Sequence, residues 1–226
     1  IPTLAFDGFK QAILAGVAAG QRVSAMFGDS TSQSEVTHLY VVMADDERNQ
    51  LYVGRTQVEG DQFPSLTPQC PQVHLFEREI AEQFGVRPDG HPWLKPVRFH
   101  KSLRPGHDAW GRRTDENPLV GAMDFYQVEG EEIHEVGVGP VHAGVIEPGH
   151  FRFQCHGEHV FHLEISLGYQ HRGVERAVIG GPSKRTIHMM ETLAGDTTIG
   201  HATAYCQILE ALGGCQVPAR AEALRG

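Results

Sequence analysis

The stretch from 22 to 58 constrains this chain most. RVSAMFGD (22–29), EVTHLYVVMADD (35–46) and NQLYVGRTQV (49–58) are three β-rich runs separated by Gly, Asp, Ser and Asn turns. Such spacing predicts three strands in an antiparallel meander. A helical pattern flanks the meander on each side. DGFKQAILAGVAAG (7–20) keeps its apolar residues on one side, with Asp7 as N-cap and Gly20 as stop. PQVHLFEREIAEQFG (71–85) places Val73, Phe76, Ile80 and Phe84 on one helical face, and Gly85 ends it. Residues 1–103 therefore read as an α/β sandwich.

The pattern then breaks. Residues 104–137 are polar, carry several Pro and Gly, and show no sustained period. A segment this long links domains or wraps a partner, and Trp110, Phe125 and Tyr126 are the side chains able to pin it to a surface. A new unit starts at 138. In HFRFQC (150–155), Phe151, Phe153 and Cys155 alternate with polar residues. In VFHLEISLG (160–168), Phe161, Leu163, Ile165 and Leu167 do the same. The two runs flank HGEH and predict a β-hairpin with one buried face. Further on, Ile199, Ala202, Cys206, Leu209 and Leu212 recur at three- and four-residue steps, and Gly213–Gly214 stop that helix. The expected class is α+β: a first domain at 1–103, a linker at 104–137, and a second domain from 138 to 226.

Composition removes several function classes. With 40% hydrophobic and 21% charged residues among 226, the chain can bury a core. Its net charge is −9 and no basic cluster stands out, which argues against a nucleic-acid surface. No apolar run approaches the roughly 20 residues that span a bilayer, and no signal peptide is visible. Cys70, Cys155, Cys206 and Cys215 show no CxxC spacing, which suits reduced thiols in a cytoplasmic protein. The start at Ile1 and the end at PARAEALRG, which reads as an unfinished helix, suggest a piece of a longer product.

Four constellations can carry chemistry. His156, His159 and His162 beside Cys155 have the residue types of a zinc or iron site. Strand alternation sends Cys155 and His156 to opposite faces, however, and no second ligand pair accompanies them, so a hydrated hairpin face is the expectation. Glu77, Glu79 and Glu82 with Arg78 offer paired carboxylates for acid–base work. On an amphipathic helix the expected role of such residues is a charged exterior. His171, Arg172, Glu175 and Arg176 crowd a strand-to-helix junction, as a salt-bridged helix start or as an arginine facing a redox centre. GPVHAGVIEPGHF (139–151) is a Gly/Pro-punctuated turn with His142, Glu147 and His150, and a histidine there can deliver a proton to a ligand.

In combination these segments resemble a known family. PSLTPQCPQVHLFEREIAEQFGV followed by GHPWL resembles the C-type (30-kilodalton-type) subunit of respiratory NADH dehydrogenase, complex I. GPVH, EPGHFRF and GYQHRGVER, followed by GHATAYCQILEALG and VPARAEALR, resemble the start of the D-type (49-kilodalton-type) subunit. They are closer still to the large subunit of group 4 [NiFe] hydrogenases such as formate hydrogenlyase, in which C-like and D-like parts are fused. The resemblance implies a C-subunit-like sandwich followed by the β-hairpin and first helices of a hydrogenase-like large-subunit domain. It implies an iron–sulfur partner of the B-type or hydrogenase small-subunit kind, membrane-arm subunits, and a peripheral place on the inner face of a bacterial or archaeal membrane. Quinone and a neighbouring subunit's iron–sulfur cluster are the implied cofactors, with none bound by this chain itself. By the same resemblance His142 lines the quinone cavity, Arg172 and its neighbour His171 face the terminal cluster, and His201 and Tyr205 belong to the cofactor-binding segment.

One departure matters. Hydrogenases of this family carry sequence like CGICGFAHSTAY, whose two cysteines ligate nickel as thiolates. The matching text here is AGDTTIGHATAY, with Ala194 and Thr197 in the cysteine positions. Alanine has no ligand atom, and threonine is a poor ligand for a soft metal. The complex I line has a quinone-binding tyrosine near position 194, and alanine cannot replace its hydrogen bond. The expected function is a component of a membrane-associated, complex I-related oxidoreductase, without a nickel centre. It would mediate electron transfer from iron–sulfur clusters, or its coupling to ion translocation. The alternatives are a docking scaffold between the iron–sulfur subunit and the membrane arm, or a separate histidine-rich metal-binding protein.

Overall fold

In the computed structural model, strands β1 (Thr3–Leu4), β2 (Arg22–Asp29), β3 (Val36–Asp45) and β4 (Gln50–Glu59) form one sheet in the order β1-β4-β3-β2. The structure describes residues 1–30, 36–144 and 146–225, so Glu35 of the second predicted run and the turn before it lie outside the described residues. β2–β3–β4 is the antiparallel meander expected from sequence, and β1 adds a parallel edge beside β4 that the sequence did not announce. Leu39, Val41 and Met43 alternate along β3 onto one buried face. That face is covered by α1 (Phe6–Ala18) through Phe9 and Ile13 and by α2 (His74–Phe84) through Ile80 and Phe84. Each such side chain taken from water contributes about 1.5–3 kcal/mol. Gly28 has no Cβ because the Phe84 ring occupies that space, 2.6 Å from where one would stand.

α1 starts earlier than expected. Ala5 is its N-cap, and Asp7 lies inside the first turn without a capping bond. There its carboxylate meets the positive end of the helix dipole, which explains an acid at this place without a cap. Gly20 leaves the helix at φ 88°. Gly85 closes α2 at φ 67°, and its N–H donates to the Ala81 carbonyl at 3.0 Å.

The charged side of α2 corrects the expectation of a solvated exterior. Glu77 and Glu82 are buried completely or nearly so, and Arg78 is buried beside them. The reason is a set of donors in two loops. The Glu77 carboxylate accepts from Ser65 Oγ, Leu66 N and Thr67 Oγ1, each at 2.6 Å. Glu82 accepts from the backbone N–H groups of Val97, Arg98 and Phe99 at 2.7–3.0 Å. Arg78 donates to the carbonyls of Lys95 and Pro96. Phe99 sits at φ 55°, unusual for a bulky residue, and Glu82 grips its N–H there. The polar face of α2 therefore shapes a strap, residues 91–99, that follows the short parallel pair β5 (Gln62–Pro64) and β6 (Arg87–Asp89).

The long segment after 103 wraps its own unit. Arg104 is buried, donating to Asp61 and to the Phe84 carbonyl. The Trp110 indole donates to the Leu94 carbonyl, Phe125 lies under the Arg152 guanidinium at 4.1 Å, and Tyr126 packs on His162 at 4.4 Å. All three aromatic residues serve as the expected pins. The reading of 104–137 as continuous loop needs correction, because β7 (Ile133–Val138) pairs with β8 (His150–His156), which pairs with β9 (His159–Ser166). The hairpin is thus the centre and edge of a three-stranded sheet.

The burial of that sheet is a second correction. Gln154, Glu164 and Ser166 are buried, whereas Phe161, Leu163, Ile165 and Leu167 are exposed. Alternation is present, but the covered face is the polar one. Lys95 Nζ reaches Glu164 at 2.5 Å, Tyr126 N donates to the other Glu164 oxygen, and Val128 N donates to Gln154. These contacts tie the strap and the wrapping segment to β8 and β9. Compact packing accordingly divides the chain after Tyr169, into Ile1–Tyr169 and Gln170–Gly226. The second unit holds α3 (Val174–Ala177), α4 (Thr186–Glu191), α5 (Thr198–Gly213) and α6 (Ala219–Arg225). Gly214 ends α5 at φ 61°, and Arg225 forks onto Glu210 with two bonds.

Candidate functional site

The turn between β7 and β8 carries His142, in the first unit. Gly139 turns the chain at φ 83°, and Gly149 N donates to the Pro140 carbonyl at 3.0 Å. A Cβ on Gly139 would stand 2.5 Å from His142 Nε2, so only glycine admits the ring here. His142 Nε2 lies 2.7 Å from the Gly149 carbonyl, and the ring meets Phe151 edge-on at 5.5 Å. A carbonyl only accepts, so Nε2 carries the hydrogen and Nδ1 is the ring nitrogen outside that bond. As a neutral ring His142 offers Nδ1 as an acceptor; as an imidazolium it offers a donor there. The sequence groups His150 and Glu147 with His142. In the fold His150 Nδ1 turns to the Gly139 carbonyl at 3.3 Å, and Glu147 is exposed.

His171, Arg172, His201 and Tyr205 belong to the second unit. Gly173 caps α3 in the left-handed region and leaves Arg172 just ahead of the helix. The Arg172 guanidinium donates to the carbonyls of Gln170 at 3.3 Å and Thr192 at 2.9 Å. It is therefore held against the connection that leads from α4 to α5. That connection contains a 3₁₀ turn, Gly195–Thr197. Thr197 N donates to the Ala194 carbonyl at 3.1 Å. Such a turn brings residues three apart over one another, which is the spacing that lets two donors share one metal ion. Ala194 and Thr197 occupy those places. The Thr197 hydroxyl faces the Ala194 carbonyl at 3.4 Å. This donor set does not fit nickel. Further along α5, His201 is half-buried, and the Tyr205 hydroxyl is buried with no hydrogen-bond partner among the described residues.

The histidines of the hairpin separate. His156 Nε2 pairs with Glu132 at 2.6 Å, while His162 packs between Tyr126 and Trp93. Among the described residues no group of three His, Cys, Asp or Glu side chains stands where it can hold a metal ion. No helix among them is long and apolar enough to cross a membrane. All four cysteines are free, and burial pushes the Cys70 thiol upward.

Sequence reasoning missed the group that joins strap to sheet. Lys95 Nζ contacts Glu164 and the Asp124 carbonyl and lies 4.4 Å above the Trp93 ring. The available signal was the single carboxylate on β9, Glu164, set between Leu163 and Ile165. Alternation alone assigns it to water.

Residues 11–114 match the family described as "Respiratory-chain NADH dehydrogenase, 30 Kd subunit". The chain is 28% identical over 224 residues to "Formate hydrogenlyase subunit 5" of Escherichia coli, covering 91% of this chain and 38% of that protein. It is 30% identical to "Hydrogenase-4 component G" of the same organism, covering 76% of this chain and 33% of the relative. To the fused C/D-type NADH-quinone oxidoreductase protein of Methylococcus capsulatus it is 29% identical, over 72% of this chain and 31% of the relative. The chain thus spans about a third of the length of the curated relatives it matches.

Proposed function

We propose, from a chain that belongs with the fused C/D-type subunits of complex I and their formate hydrogenlyase-type relatives, that it serves in a membrane-associated, complex I-related oxidoreductase without a nickel centre. In this reading a neighbouring iron–sulfur subunit delivers electrons, membrane-arm subunits couple their flow to ion translocation, and quinone is the acceptor. The complex sits peripherally on the inner face of the membrane. Residues 1–103 descend from the C-type subunit and residues 138–226 from the D-type subunit, with 104–137 between them. The observation that carries the reading is the turn at 195–197. There Ala194 and Thr197 stand three residues apart, at the places the resemblance gives to the two cysteines, and neither carries a soft donor.

His142 is assigned to the quinone cavity, with His171 and Arg172 toward the cluster and His201 and Tyr205 in the cofactor-binding segment. Reduction to the quinol takes up two electrons from the cluster and two protons. One proton is assigned to His142 Nδ1 and the other to solvent. The bond from Nε2–H to Gly149 keeps the ring in one orientation while Nδ1 gains or loses that proton. The test is quinone reduction by the assembled complex carrying His142→Ala. The rate falls by about 10²–10⁴-fold, the usual contribution of a general acid, while reduction of the cluster is unchanged. An unaltered rate would remove His142 from the mechanism.

A second reading, a docking scaffold without chemistry of its own, draws on Arg172, whose guanidinium donates to carbonyls of its own unit. It expects Arg172→Ala to weaken assembly and leave every redox potential in place. The oxidoreductase reading expects the midpoint potential of the neighbouring cluster to move.

A further inference from the structure

We infer that His91 is an acid-sensitive latch that fixes Trp93, and with it the 91–99 strap, onto the polar face of the second sheet. Both ring nitrogens of His91 are committed. Trp93 N–H donates to His91 Nδ1 at 2.9 Å, so Nδ1 must carry a lone pair. His91 Nε2 lies 3.2 Å from the His74 carbonyl, which only accepts, so Nε2 must carry the hydrogen. One protonation state satisfies both bonds: the neutral ring with its hydrogen on Nε2. Adding a proton at Nδ1 sets two N–H groups against each other, and the Trp93 bond is lost.

The surroundings oppose that proton as well. Burial holds the His91 ring below the ordinary histidine value, and the Arg78 cation adds to the effect against the pull of the His74 carbonyl and Glu77. His74 stacks on His91 at 5.3 Å and is itself lowered by burial, by Arg78 and by His91. From α2, then, His74, Glu77 and Arg78 face the ring. On the strap Lys95 follows, its ammonium engaged by Glu164, and β9 presents His162 and Glu164 to Trp93 and Lys95.

The latch has a mechanical consequence. The Trp93 ring centre lies 4.4 Å from the Lys95 ammonium and 5.7 Å from the His162 ring centre. The strap's other anchors, Arg78 to residues 95 and 96 and Glu82 to residues 97–99, lie beyond Trp93 and involve no imidazole. Opening therefore begins at residues 91–93 and frees Trp93 from β9 first. Because the folded state holds His91 neutral, its contribution is complete above the ordinary value near 6.5. It is lost as the pH falls below that value toward the lowered folded one.

The experiment is a pH titration of the 226-residue chain by NMR, following the histidine ring nitrogens, the Trp93 amide and the indole-to-ring contact with His162. At neutral pH the expected state of His91 is bare Nδ1 and protonated Nε2. On acidification its midpoint lies below 6.5, and the Trp93 amide shift and loss of the His162 contact track it. In His91→Gln that coupled change at Trp93 is lost, and in His74→Gln it persists. A hydrogen on Nδ1 at neutral pH would overturn the latch. So would titration of His91 with no response at Trp93, or the same response in His91→Gln.

Discussion

The two sheets of the first unit bury opposite faces. In β1-β4-β3-β2 the apolar set Leu39, Val41 and Met43 lies under α1 and α2. In β7-β8-β9 the polar set Gln154, Glu164 and Ser166 is covered, and Leu163 and Ile165 are exposed. Alternation fixes which residues share a face. Which face is covered depends on what the rest of the chain brings to it. For the first sheet that is two amphipathic helices. For the second it is Lys95 and the Tyr126 N–H, which satisfy the buried Glu164 carboxylate, with aromatic rings packed around them in place of an apolar layer.

Substitutions that distinguish burial from exposure test this contrast, and the largest effect belongs to the first sheet. Leu39→Ala removes a completely buried side chain and is expected to cost about 2–5 kcal/mol in urea unfolding. Glu164→Ala is expected to cost about 1–3 kcal/mol, because it removes the buried acceptor of two part-buried donors, the Tyr126 N–H and Lys95, and leaves Lys95 only the Asp124 carbonyl. Replacing both partners, as Lys95→Met with Glu164→Leu, is expected to recover much of that loss. If the double replacement is as damaging as the single one, the clamp is not what holds the second sheet. Gly85→Ala forces a side chain to φ 67° and to within 2.6 Å of His107 Cβ, with an expected cost of roughly 1–3 kcal/mol. The smallest effect is Leu163→Ala, under about 1 kcal/mol because the side chain is already 43% exposed. A cost equal to that of Leu39→Ala would show that the apolar face is covered in solution.

The same contrast sets what was legible in the sequence. The meander, α2 with Gly85 and α5 with Gly214 follow from period and turn residues, which are local properties. Asp7 misled because a carboxylate in the first turn and one at the N-cap look alike in sequence. The acids of α2 misled for a different reason: Glu77 and Glu82 meet donors more than nine residues away, and no period in the helix encodes them. β7 escaped notice because Gly137 and the adjacent polar pair His134 and Glu135 dilute its alternation, and pairing with β8 supplies what propensity lacks. At the site, the turn around His142 and the changed residues Ala194 and Thr197 were visible directly. The tautomers of His142 and His91 were not, since each is fixed by a carbonyl or an N–H that only the fold brings into reach.

The central claim is redox service without nickel, and metal analysis of the native complex that contains this chain tests it most directly. The account predicts iron in the proportion set by its iron–sulfur clusters and no stoichiometric nickel. One nickel per complex, retained after purification, would contradict it.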